Sequence, residues 1–97
     1  MEINKKLEDN ICTIALGGRL DTTTAPELEN ELKNSLEGIE GLHFDLTNLD
    51  YISSAGLRVL LFAQKSMAGK EMVVKNVKPE IMEVFEITGF NDILTIE

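Results

Sequence analysis

The 97-residue sequence has no tryptophan, one cysteine, one histidine and two prolines. A single cysteine excludes an internal disulfide, and Cys12 lies in an apolar segment, which indicates a buried thiol in a reducing compartment. No apolar stretch approaches the roughly 20 residues of a transmembrane helix, and the first residues lack the pattern of a signal peptide. The sequence therefore predicts a cytoplasmic protein.

Positive charge is also scarce. Nine Lys and Arg residues stand against seventeen Asp and Glu residues, so the formal net charge is −8. Nucleic acids and anionic membranes would repel such a chain, and neither is expected as a partner. The composition, 43% apolar and 27% charged, is that of a folded domain. We expect one small domain over residues 1–97.

Hydrophobic periodicity predicts five short strands. The first two flank the turn-forming Glu8-Asp9-Asn10 and should form an antiparallel hairpin, which Gly17-Gly18 ends. The third alternates apolar with polar residues and is followed by a polar loop. The predicted strands cover residues 3–7, 11–16, 42–46, 72–74 and 93–96.

Three helices are predicted between these strands. Thr24 and Glu27 fit a capping box at the start of the first. The second, residues 54–67, is apolar on nearly every side, and the Ser53 hydroxyl should cap it by accepting a first-turn N–H. The third begins at Pro79 and ends at Gly89.

The element order is therefore β-β-α-β-α-β-α-β. Helical crossovers imply parallel strands with right-handed connections, and the first strand is the antiparallel exception. Because residues 42–46 alternate, one face of the sheet should be better buried than the other. We expect an α/β domain with a mixed sheet and helices mainly on one face.

The segment Tyr51-Ile52-Ser53-Ser54-Ala55-Gly56-Leu57 holds the most functional information. Ser54 should be the first residue of the core helix, where the positive end of the macrodipole stabilises an anion such as phosphate. A serine at a helix start is more often a capping or surface residue than a regulatory site. Local chemistry alone therefore favours the structural interpretation.

The wider context reverses that preference. Residues 51–57 resemble the phosphorylation motif of the STAS domain family, in particular its anti-sigma factor antagonists, and Gly18-Arg19-Leu20-Asp21 resembles the turn after the family's second strand. The resemblance implies that Ser54 is the phospho-acceptor, whereas Ser53 stands where many relatives carry Asp. It also implies that Asp21 belongs to the surface that partners contact. Arg58 is four residues after Ser54, on the same helix face, where it is either a solvated arginine or a group that could hold a phosphate. We expect the partner-binding surface to comprise Asp21, Ser53, Ser54, Gly56 and Arg58.

The function implied by the resemblance is a phosphorylation-switched binding module. Unphosphorylated, it would bind an anti-sigma factor with serine-kinase activity and release a sigma factor; a serine phosphatase would reverse the modification. A STAS module of another system, such as transporter regulation or a sensor scaffold, is the alternative. A hydrolase with Ser54 as nucleophile lacks a base near it in sequence, since His43 is the only histidine. We expect no catalytic residue, metal or cofactor.

Overall fold

The computed structural model describes residues 1–97. Four strands and three α-helices are followed by one short 3₁₀-helix: β1 Glu2–Glu8, β2 Ile11–Leu20, α1 Ala25–Ser35, β3 Gly41–Ile52, α2 Ser54–Ser66, β4 Glu71–Lys75, α3 Pro79–Thr88 and the 3₁₀-helix Phe90–Asp92. The strands form one sheet in the order β1-β2-β3-β4. β1 is antiparallel to β2, and β2, β3 and β4 are parallel, which confirms the predicted mixed α/β sheet. No helix has both the length and the apolar character needed to cross a membrane.

A two-residue turn joins β1 to β2. Asp9 and Asn10 have φ angles of 53° and 65°, and Glu8 pairs with Ile11 on either side of them. Two consecutive positive φ angles are typical of the type I′ turn, whose twist matches that of the flanking strands. Asp and Asn tolerate this conformation better than most residues. The predicted hairpin is confirmed.

Alternation along β3 decides which face of the sheet is covered. Leu42, Phe44 and Leu46 are fully buried, whereas His43 and Asp45 between them are only half-buried. Helices α1 and α2 both connect neighbouring parallel strands, and two right-handed crossovers in the same direction place both helices on one face. The predicted one-sided arrangement is confirmed.

The core is a single cluster of 24 buried residues on that face. All three helices contribute to it, with Leu28 and Leu32 from α1, Leu60 from α2 and Phe85 from α3, each of them 0% exposed. Burying one such side chain stabilises the fold by about 1.5–3 kcal/mol. The packing of the helices onto one face of the sheet therefore holds the domain together.

The predicted ends of two strands are wrong. β2 does not end at Gly17-Gly18 but continues to Leu20, and β3 continues to Ile52 through residues 47–51, for which the polar composition predicts a loop. The backbones of β2 and β3 pair side by side in this region, and this pairing does not require alternating side chains.

The predicted last strand, residues 93–96, is also wrong. Only a single parallel bridge remains, between Val74 and Ile96. The Phe90 carbonyl accepts hydrogen bonds from the N–H groups of Ile93 and Leu94. These two residues are therefore held in a turn and do not pair with β4.

Candidate functional site

The candidate site lies where β2 and β3 end. Leu20 pairs with Ile52, and the N–H of Ser53 donates to the Leu20 carbonyl at 2.9 Å. Since the carboxyl ends of parallel strands meet at one edge of a sheet, the segment that begins at Asp21 lies beside the segment that contains Ser54. The structure thus brings together the two segments that the sequence motifs single out.

The strands reach this edge with an altered register. Pairing shifts between Ala15 and Gly17 and again between Gly18 and Arg19, and each shift adds one residue to β3. An inserted residue changes which side chains face the core. As a result, Tyr51 pairs with Arg19 at the end of the sheet and is 41% exposed.

Asp21 orders the turn between β2 and α1. Its Oδ1 accepts hydrogen bonds from the Thr23 hydroxyl at 2.8 Å, the Thr23 N–H at 3.0 Å and the Thr24 N–H at 3.2 Å. These bonds, that of the Thr23 hydroxyl above all, stabilise the carboxylate and lower the pKa of Asp21. Asp21 is therefore an ionised side chain in a hydrogen-bonded turn that follows β2, at the same edge of the sheet as the start of α2.

The capping box predicted for Thr24 and Glu27 is wrong. Thr24 occupies the N-cap position of α1, but its backbone is helical, with φ −100° and ψ −22°, and its side chain makes no capping bond. A capping side chain usually requires an extended backbone. Instead, Thr24 Oγ1 donates to the Arg19 carbonyl at 2.7 Å and accepts from the Asp21 N–H at 2.8 Å. Thr24 thus ties the start of α1 to the end of β2.

Arg19 and Tyr51 are in contact, which the sequence alone does not predict. Arg19 Cζ lies 4.1 Å from the centre of the Tyr51 ring, a cation–π contact. Arg19 Nε is also 3.6 Å from Asp21 Oδ2. The residues are 32 positions apart in sequence, and only the altered register of β3 pairs them. The only indication of this contact in the sequence is that Arg19 lies in the motif of residues 18–21 and Tyr51 in the motif of residues 51–57.

Ser53 is the N-cap residue of α2, as predicted, and its carbonyl accepts the N–H of Leu57 at 3.0 Å. The predicted role of its hydroxyl is wrong, since the side chain makes no capping bond and Oγ is buried without a hydrogen-bond partner. An unpaired buried hydroxyl is unfavourable by about 1–3 kcal/mol. Ser53 therefore positions the helix start through its backbone alone.

Ser54 is the first residue of α2 and is exposed. The first turn of this helix contains no acidic residue, so no side-chain charge offsets the positive end of its macrodipole. An anion at an exposed helix N-terminus is stabilised by about 0.3–1 kcal/mol. The Ser54 hydroxyl is thus accessible and lies where added negative charge is favoured.

Gly56 and Arg58 have different surroundings on α2. A Cβ at Gly56 would lie 2.7 Å from Leu20 Cγ and 2.8 Å from Ile52 Cγ1, so glycine lets the helix pack closely against the strand ends. Arg58 is exposed and makes no ion pair. It lines an open groove of about 310 Å³ between α1 and α2, opposite Glu29.

The only histidine is near the other end of β3. His43 Nε2 lies 2.6 Å from Glu71 Oε1, close to the start of the strand, whereas Ser54 follows the last strand residue. A nucleophilic serine needs a base within hydrogen-bond reach, and the structure does not bring His43 to Ser54. No group of three or more His, Cys, Asp and Glu side chains is arranged to hold a metal ion.

The strand order and the helices on one face define a small mixed α/β domain, with the Ser54 motif at a strand-to-helix junction. The profile of the STAS domain family matches residues 2–97. The chain therefore belongs to the STAS domain family.

Named relatives cover nearly the whole chain. It is 37% identical to BtrV of Bordetella bronchiseptica, provisionally named an anti-sigma factor antagonist, over 99% of this chain and 85% of that protein. It is 30% identical to the anti-sigma-B factor antagonist of Staphylococcus aureus, over 99% of this chain and 92% of that protein. The phosphorylated form of the Bacillus cell fate determinant SpoIIAA shares the fold, with a TM-score of 0.77 at 14% identity, over 99% of this chain and 91% of that one.

Proposed function

We propose that this protein is an anti-sigma factor antagonist whose binding is switched by phosphorylation of Ser54. The observation that carries the proposal is the exposed Ser54 side chain at the first residue of α2, beside the end of β2. Two relatives at 37% and 30% identity are named as antagonists of this kind. The chain acts as a binding module rather than as an enzyme.

In the unmodified state the chain binds an anti-sigma factor, and the sigma factor is released to direct transcription. The anti-sigma factor is also a serine kinase. A bond forms between the γ-phosphorus of ATP and Ser54 Oγ while the bond from that phosphorus to the oxygen of ADP breaks, and the hydroxyl proton passes to a base in the kinase. A serine phosphatase then hydrolyses the phosphate ester and restores the free hydroxyl.

The partner-binding surface comprises Asp21, Ser54 and Arg58 together with the backbone of Ser53, and Gly56 sets the close approach of α2 to the strand ends. A phosphate on Ser54 adds about −1.5 to −2 charges at neutral pH. Within an interface this charge has to be desolvated or paired, and otherwise it opposes binding. The helix N-terminus accommodates the charge within the domain, so the fold does not change.

The net charge and the single cysteine are consistent with this function in the cytoplasm. The net charge of −8 favours a protein partner over nucleic acid or an anionic membrane. Cys12 is buried, and burial raises the pKa of its thiol. The thiol therefore stays protonated at neutral pH and is a poor nucleophile.

A kinase assay tests the site. With the partner kinase and ATP, the wild type should gain one phosphate by mass spectrometry and Ser54→Ala should gain none. Ser53→Ala is the matched control and should still gain one, because the Ser53 hydroxyl is buried. A phosphate mapped to Ser53 would contradict the assignment.

Binding of the purified partner, measured by calorimetry, tests the switch. Phosphorylation should weaken binding by about 100-fold or more, since it places an unpaired charge in the interface. Ser54→Asp should weaken binding less, because a carboxylate carries less charge and fewer acceptor oxygens. Equal affinities of the modified and unmodified forms would instead favour a STAS module of another system, in transporter regulation or a sensor scaffold.

A further inference from the structure

Both arginines of this acidic chain lie at the edge that contains Ser54. The sequence has only two, Arg19 and Arg58. Arg19 is the last but one residue of β2, and Arg58 is on α2, four residues after Ser54. Arginine is the side chain best suited to bind phosphate, because its planar fork of N–H donors matches two phosphate oxygens at once.

The two arginines differ in what they already contact. Arg19 stacks on Tyr51 at 4.1 Å and lies 3.6 Å from the carboxylate of Asp21. Arg58 has no ion-pair partner. The carboxylate that lines the same groove, Glu29, lies 3.8 Å from Lys33 of its own helix. Arg58 is therefore the arginine that is free to pair with a new anion.

Helix geometry directs Arg58 towards Ser54. Residues four apart lie on the same face of a helix, with Cβ atoms about 5–6 Å from each other. In the structure Arg58 lines the groove between α1 and α2. Because side chains on a helix lean towards its N-terminus, another rotamer of this long, exposed side chain can reach the first turn. Ser54 and Arg58 are both exposed, and a phosphate on Ser54 would lie within reach of the guanidinium.

We propose that Arg58 pairs with the phosphate of phosphorylated Ser54 inside the chain, an inference that rests on Ser54 being the phosphorylation site. The pairing gives the modification two effects on the partner-binding surface. It adds a dianion at Ser54, and it withdraws the Arg58 side chain, which the unmodified protein offers to its partner.

The second pKa of the phosphate measures this pairing. Phosphoserine can be incorporated at position 54 by genetic encoding, so the test needs no kinase, and ³¹P NMR follows the titration. A guanidinium beside the phosphate favours the dianion and lowers its pKa. Arg58→Gln should therefore raise that pKa by about 0.3–0.7, the range expected for an exposed ion pair. Arg58→Lys, which keeps the charge but loses the fork, should raise it less.

Arg19→Gln is the matched control, because it removes the arginine that is already stacked on Tyr51 and paired with Asp21. Its effect on the phosphate pKa should be smaller than that of Arg58→Gln. An unchanged pKa in Arg58→Gln would overturn the pairing, and so would a larger change in Arg19→Gln. These results are independent of the kinase assay, whose failure would remove the proposed function and leave the titration interpretable.

Discussion

The two halves of the β2–β3 pair differ in regularity and in role. In the first half, residues 11–15 pair one to one with residues 41–45, and side chains alternate between core and surface. In the second half, two register shifts occur between residues 15 and 19, and β3 presents polar and aromatic side chains to solvent. Both halves bury side chains in the core, but only the irregular half also carries the candidate site.

The irregular half also buries side chains in the core, such as Leu20 and Leu49, and further contacts hold its surface. Thr24 Oγ1 donates to the Arg19 carbonyl at 2.7 Å, and Lys78 Nζ donates to Asp50 Oδ1 at 2.6 Å. Each of these contacts is at least partly exposed and contributes modestly to stability. A site built in this way can change its surface residues without loss of the core.

The largest expected effect is a difference in the free energy of unfolding between a variant of the regular half and a variant of the irregular half. Ile14, in the regular half, is 0% exposed, and Ile14→Ala should lower the free energy of unfolding by about 2–5 kcal/mol. Tyr51, in the irregular half, is 41% exposed, and Tyr51→Ala should lower it by only about 1 kcal/mol, mainly through the lost cation–π contact. Urea denaturation of both variants measures the contrast. Equal losses would mean that the exposed Tyr51 of the irregular half contributes as much to stability as a fully buried side chain of the regular half.

A smaller effect is expected where α2 meets the strand ends. A Cβ at Gly56 would press on the buried side chains of Leu20 and Ile52, at 2.7 and 2.8 Å. Gly56→Ala should therefore cost about 1–3 kcal/mol, the range for overpacking a core. In Gly17→Ala, the nearest atom is the end of the flexible Glu2 side chain, at 3.3 Å, and this control should stay within about 0.5 kcal/mol. A neutral Gly56→Ala in thermal or urea melts would show that the helix does not need this close approach.

The regular half and the helices could be predicted from the sequence because their signals are local. Alternation around Phe44 identifies the covered face of the sheet, and the Asp9-Asn10 pair identifies the hairpin turn. The start of α2 at Ser54 follows from the change of periodicity after Ile52. In each case the residues that determine the structure are close together in the chain.

The site itself needed information that the sequence does not carry locally. The stacking of Arg19 on Tyr51 depends on the register between two distant strands. The Ser53 hydroxyl is buried because of how the helix start packs, although local capping rules favour a bonded hydroxyl. The role proposed for Ser54 came from the family resemblance, since local chemistry favours a structural serine there.

The smallest expected effect concerns Asp45, the last residue of the regular half. Its Oδ1 accepts from the Thr47 hydroxyl at 2.6 Å, the Thr47 N–H at 3.0 Å and Asn76 Nδ2 at 3.0 Å. These bonds, that of the Thr47 hydroxyl first, lower the pKa of Asp45. Because the folded-state pKa lies below the unfolded value, the carboxylate stabilises the fold above about pH 4, and this contribution is lost as the pH falls further.

Asp45→Asn should therefore be less stable than the wild type at pH 7, and the difference should shrink as the pH drops from about 4 towards 3. The difference should be small, because the carboxylate is only half-buried and water screens its charge. Urea melts at pH 7, 5, 4 and 3 measure it, with Glu83→Gln, exposed in the middle of α3, as a control for general charge effects. A difference that stays constant down to pH 3 would mean that Asp45 acts through its shape and hydrogen bonds alone, and the regular half would then owe nothing to charge at its boundary with the site.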